Sequence, residues 1–480
     1  MDRALGVVTV ALLLLRPSVH GEPNWTVHEW GTFTSLQNEA GDAIGGINTD
    51  DEPVPGFVHR LADFLLLRPT QVPPIFFQGA RSCHPDVTMR LQTPVLYFHP
   101  PQPEPGLHEV SVTVQFRGGW LSEYYPAAEA EAPGLKGPGT SQFGHLSSVT
   151  VSRLKWEHLE IGGDWPIANS TAHVWVTPRA VQAARVRAPN GESEQFLFYR
   201  GVAHIDAPLR ISRTGDQLIF RSQLEELPAE RPLIIQSIWL VDIRSDGRLA
   251  FRNLPPLKLD RDSNTNLART PANFAPGDFG SVNRHLLKSS LQQTLVSKGL
   301  NRDEAQALLN TWELPYFESA GLRVFFVVPR AWVDYYLPLH VSIPCDLNRV
   351  MVGRIELVTP GERADLQKLS ALTPHQIEQD RAQLWTNFYD KITYHFSTNP
   401  LPRLVRQHLD QEMRQLDEGR KTLTSFVSVP ASYATYLDLG RFRNALVLDQ
   451  AKRHPTEGLT NFIAAYRLEA YKPAESPPHL

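Results

Sequence analysis

The chain has 480 residues, enough for two or three domains with sizeable cores. A hydrophobic fraction of 42% and a charged fraction of 20% are those of a globular protein and exclude large-scale disorder. The formal net charge of −4, with the two signs interspersed, supplies no basic field to draw in nucleic acid, so no nucleic-acid partner is predicted.

Met1-Asp2-Arg3 precedes an apolar run from Ala4 to Leu15, then Pro17, Ser18 and Gly21. A short basic start, an apolar stretch and small residues near its end are the three parts of a secretory signal peptide. The expectation is a signal over 1–21 and a soluble mature protein, secreted or periplasmic. The run is shorter than the ~20 residues of a membrane span. No later stretch is apolar for long enough, so no span is predicted.

Trp25 to Thr34 alternates as a strand does. Residues 37–56 are rich in Gly, Asp and Pro and read as a loop, and Phe57 to Leu67 as a short helix ended by Pro69. Val87 to Phe98 is a second strand, followed by a Pro-rich connector over 100–106. From Leu107 to Leu254 strand signals dominate, with hairpin turns at Thr214-Gly215-Asp216 and Ser245-Asp246-Gly247. Short strands at such spacing predict an antiparallel β-sandwich-like body.

Beyond a polar loop at 259–281 the period becomes helical. His285 to Lys298 is a helix stopped by Gly299, and Asn301-Arg302-Asp303-Glu304 is a capping box opening a second that runs to Trp312. Leu322 to Val328 and Arg349 to Val358 are β-rich, while Thr359-Pro360 and Thr373-Pro374 each open a helix. Two amphipathic helices near 437–452 and 457–471 close the chain. The fold class is therefore mixed α and β: a sandwich-like body, then an α/β segment and C-terminal helices. The expected division is a β-rich domain over 22–258, comprising a polar segment 22–99 and sandwich strands 107–254, and a second part over 259–480.

On the first strand Trp25, Val27, Glu29, Gly31 and Phe33 share one face, and His28, Trp30, Thr32 and Thr34 the other. Glu29 thus sits among apolar neighbours, where a carboxylate is costly unless paired or metal-bound. It is either held by an Arg or a catalytic group with a raised pKa. His28, Asp50, Asp51, His59 and His84 supply donors of the kinds that bind zinc or another divalent cation, although their spacing matches no metal motif. The first functional expectation is a metal-assisted hydrolase of envelope or extracellular polymer. Its ligands would be His28, His59 and His84 with Asp50 or Asp51, and Glu29 would be the general base.

The second expectation is a non-catalytic carbohydrate-binding or scaffold protein. Trp120 and Trp165 stand beside Gly-rich turns, where exposed rings would stack on sugars; a Trp that fills the core is the competing reading. Cys83 and Cys345 either form one disulfide, worth ~4–5 kcal/mol for so long a loop, or remain two free thiols.

The stretch Trp25-Thr26-Val27-His28-Glu29-Trp30-Gly31-Thr32-Phe33-Thr34-Ser35 resembles the opening of a family of secreted bacterial proteins. The likeness extends to Asn48-Thr49-Asp50-Asp51-Glu52-Pro53 and to Thr93-Pro94-Val95-Leu96-Tyr97-Phe98. It implies export and assigns no catalytic residue.

Overall fold

The computed structural model describes residues 24–50, 52–67, 70–76, 82–101, 106–137, 142–224, 233–260, 268–396, 403–417 and 421–474. The expected signal segment 1–21 lies outside them.

The alternating stretch that begins at Trp25 is a strand, Trp25–Gln37, in the middle of a nine-stranded sheet. On one side it pairs antiparallel with Met89–His99, followed by Leu197–Ala203, Gly119–Tyr125 and the short His59–Arg60. On the other it runs parallel to Cys345–Leu357, followed by Gly321–Val327, Ile238–Ile243 and Leu249–Leu254. A six-stranded sheet built on His108–Arg117 and Val151–Ile161 covers one face. Val27, Phe33, Leu91 and Leu96 meet Val112, Val114, Leu154 and Trp156 between the two sheets in one apolar core. That is the sandwich expected of period-two alternation.

The opposite face is covered by helices. Trp30, Val95, Phe198, Trp239 and Phe325 pack against Leu287, Leu291 and Leu295 of the helix Asn283–Ser297 and Leu308 of the helix Arg302–Thr311. A third core gathers Leu366, Leu384, Phe388, Leu446 and Phe462 from the C-terminal helices around Leu36 and Trp120. The central strand is therefore buried on both faces, and its polar residues are out of water with its apolar ones. No helix among the described residues is long and apolar enough to cross a membrane.

Two expectations are corrected. A boundary at 258/259 does not separate two cores, because Cys345–Leu357 and Gly321–Val327 are built into the same sheet as Trp25–Gln37. Residues 57–67 form no helix. His59–Arg60 pairs antiparallel with Tyr124 and Glu123, so this backbone is extended and takes its partners from another strand.

The sheet carries one irregularity that positions the site. Trp30 faces Val95 and Thr32 faces Gln92, so Thr93 and Pro94 bulge opposite Gly31. A Cβ on Gly31 would lie 2.9 Å from the Pro94 Cα, which leaves room for glycine only. Beyond the bulge, Tyr97 stands opposite His28 and His99 opposite Thr26.

Candidate metal centre

His28 and His99 occupy diagonal positions on one face of an antiparallel pair, close enough for long side chains to meet. Their ring centroids are 4.9 Å apart. Glu304 reaches them from the start of the helix Arg302–Thr311. As the third residue of the helix and the last of its capping box, it accepts the Asn301 N–H on Oε2 at 2.6 Å. The same oxygen lies 2.7 Å from His28 Nδ1, and Oε1 lies 2.9 Å from His99 Nε2. The three residues offer donor atoms within 4.8 Å of one another, the one such group of three or more His, Cys, Asp or Glu among the described residues.

Glu304 is fully buried, while the His99 side chain is 15% exposed. Burial pushes the Glu304 carboxyl up, but the bonds from His28 and His99, with the Asn301 N–H, outweigh it and hold the group at about 2. Two imidazoles and one carboxylate are a donor set that zinc takes in catalytic sites, leaving a fourth position for water. A cation would take over the nitrogens that now face Glu304 and would compete there with protons, so its binding weakens as pH falls.

Beside this group lies a cleft of about 500 Å³ lined by Trp25, Gln182, Arg185 and Gln195 among others. Pro100, the neighbour of His99, is in its wall. The Gln182 N–H donates to Asp303, the neighbour of Glu304, at 3.0 Å. The cleft therefore reaches the neighbour of His99, and its Gln182 is bonded to the neighbour of Glu304.

Of the ligands expected from sequence, only His28 belongs to this group. His59 pairs with Glu192 at 2.9 Å and stacks on Tyr124. His84 faces the Gly144 carbonyl at 3.1 Å between Trp120 and Tyr471; burial holds its imidazole below the ordinary value against that bond and Asp86. Asp50 is 3.0 Å from Arg200, which also bonds Glu123 in a buried ion network. Asp51 lies outside the described residues. His59, His84 and Asp50 are held by separate partners and do not converge.

Glu29 is corrected as a general base. It projects from the opposite face of the strand to His28, where Arg349 Nε and the Tyr199 hydroxyl both donate to it. Burial and then Glu29 push the Tyr199 hydroxyl well above its ordinary value, so it stays a protonated donor. Burial works against the charge on Arg349, but Glu29 and its other partners more than offset this and raise its pKa. This is the Arg-held carboxylate, and it has no path to the His28 face.

The cysteines are both free. Cys345 opens its strand opposite Trp25, whereas Cys83 lies against Gly46, beyond the Leu36 end of the central strand. The sheet's length keeps the two thiols apart, and burial pushes the Cys83 thiol up to about 12. Trp120 is fully buried with its Nε1–H on the Pro133 carbonyl at 2.6 Å, so it cannot stack on a sugar. Trp165 is half-buried under Arg187.

Sequence reasoning missed His99 as a ligand and read Glu304 only as a cap. His99 carried a usable signal, since it ends the strand that follows Thr93-Pro94. Nothing in the sequence placed Glu304 over that strand.

No family model matches this chain, and no curated protein matches it. Among solved structures, one described as "Yeast delta-COP-I mu-homology domain complexed with Dsl1 WxWxV peptide" aligns over 70% of this chain and 96% of its own, at 8% identity and a TM-score of 0.16. A likeness that weak carries no argument about fold or function.

Proposed function

We propose that the protein is an exported, metal-assisted hydrolase whose cation, zinc by donor chemistry, is held by His28, His99 and Glu304. Its substrate is a polymer of the cell envelope or its surroundings. The observation that carries the reading is the meeting of donor atoms from three segments remote in sequence within 4.8 Å of one another. The adjoining cleft supports hydrolysis over a purely structural role. When bound, such a cation lowers the pKa of its water to about 7. The chain's own part is orientation: the bulge at Thr93-Pro94 sets His99 beside His28, and the Asn301 N–H fixes the Glu304 carboxylate. Export rests on the N-terminal segment, and the interspersed charge keeps nucleic acid out of the reading.

The test is elemental analysis of the mature protein purified without chelator. Close to one zinc per chain is expected in the parent, and none in His99→Ala or Glu304→Gln. Cobalt substitution should give the visible bands of a four-coordinate site in the parent alone. Fragment release from cell-wall polymer should stop with chelator and return with zinc. A parent that neither holds nor takes up zinc ends the proposal.

A further inference from the structure

Eight of the ten tryptophans are buried and Trp165 is half-buried, whereas Trp385 is 43% exposed. It lies on the helix Pro374–Phe396, stacked on Phe76 with centroids 4.9 Å apart and planes at 19°. Phe76 therefore fixes the indole and covers one of its faces. Trp385 also lines a cavity of about 720 Å³, within the size range of small-molecule sites. Glu378 and Arg381, two turns and one turn earlier on the same helix, line it too and are locked together by two hydrogen bonds of 2.6 and 3.1 Å.

The facing wall comes from the helix Glu457–Tyr466 and its end. Asn461 supplies an amide and Arg467 a guanidinium, and neither side chain bonds to another group among the described residues. Arg467 also holds the left-handed position that ends the helix (φ 54°), a place usually given to glycine. A fixed aromatic plate, an unengaged amide and an unengaged cation thus border one cavity. Because Glu378 is neutralised by Arg381, Arg467 leaves the wall net positive.

We infer that this cavity binds an acidic pyranose unit of a glycan chain. The C–H face of the sugar ring lies on Trp385, where its partial positive charge meets the negative face of the indole. The sugar carboxylate pairs with Arg467, whose fork suits a carboxylate. Asn461 and the Glu378–Arg381 pair take the ring hydroxyls. The site is independent of the metal group, since it shares no residue with it.

The test is isothermal titration of the full mature chain with oligogalacturonate, with a muramic-acid-containing cell-wall glycan fragment, and with neutral cellohexaose as the control. Saturable binding of either acidic glycan is expected, and which one binds identifies the source. Trp385→Ala should weaken it at least tenfold, and Arg467→Gln should remove the preference over cellohexaose. Thermal unfolding confirms that both variants are folded, as surface positions should allow. Binding should persist in Glu304→Gln and in chelator, so it can stand if the zinc proposal falls. No binding of either acidic glycan, or binding that Trp385→Ala leaves intact, overturns the inference. Equal affinity for cellohexaose overturns the role of Arg467.

Discussion

Glu29 and Glu304 are both fully buried carboxylates, set against opposite faces of the same strand, and their surroundings differ in kind. Glu29 meets Arg349, a permanent cation, and the Tyr199 hydroxyl, so its charge and its oxygens are satisfied by the protein itself. Glu304 meets His28 and His99, which carry a proton or a metal at the same nitrogens. The first arrangement is closed and holds the parallel strands together. The second can exchange its protons for a cation, and burial alone does not tell the two apart.

The largest effect expected on that contrast comes from removing the permanent cation. Arg349→Met leaves Glu29 buried with Tyr199 alone and should cost about 3–5 kcal/mol in urea unfolding, with zinc content unchanged. A small loss would mean that Glu29 is not held as a charge.

Acid should act on the other face. The Glu304 carboxyl titrates at about 2 in the folded chain, below the ordinary glutamate value, so its stabilisation is complete above pH ~4.3 and is lost as pH falls towards 2. For the metal-free chain this is about 3 kcal/mol. In Glu304→Gln, which keeps the acceptor for the Asn301 N–H, this acid-dependent loss should flatten. An unchanged acid profile would place the depressed carboxylate elsewhere.

Zinc at a hundred times its Kd should stabilise the parent by about 2.7 kcal/mol, a gain absent from His99→Ala. The smallest effect is expected at His59, whose bond to Glu192 is partly exposed. His59→Ala should cost no more than about 1 kcal/mol and leave zinc uptake unchanged. Loss of zinc there would move the metal site to the loop that the sequence first suggested.

Much of the fold was legible in the residues. Alternation marked the strands at 25 and 87 and the strand-rich run from Leu107, the Gly turns marked the hairpins, and Asn301 to Glu304 and Thr359-Pro360 marked helix starts. These signals are local: they depend on which side of a strand a residue faces, or on backbone groups within one turn. The residues 57–67 misled because an apolar stretch ended by Pro69 suits a helix, whereas His59–Arg60 took its backbone partners from Tyr124 and Glu123 of another strand.

The sequence alone determined that Glu29 and His28 face opposite ways, since successive side chains of a strand alternate. It also determined that a buried Glu29 needs a partner. Only the tertiary structure decided that the partner is Arg349, because the parallel pairing of Trp25–Gln37 with Cys345–Leu357 joins positions 320 residues apart. Likewise His28 was separated from His59 and His84 and joined to His99 and Glu304 by strand register and by the docking of one helix. Register and docking are set by which whole surfaces exclude water together, and no spacing within the chain records that choice.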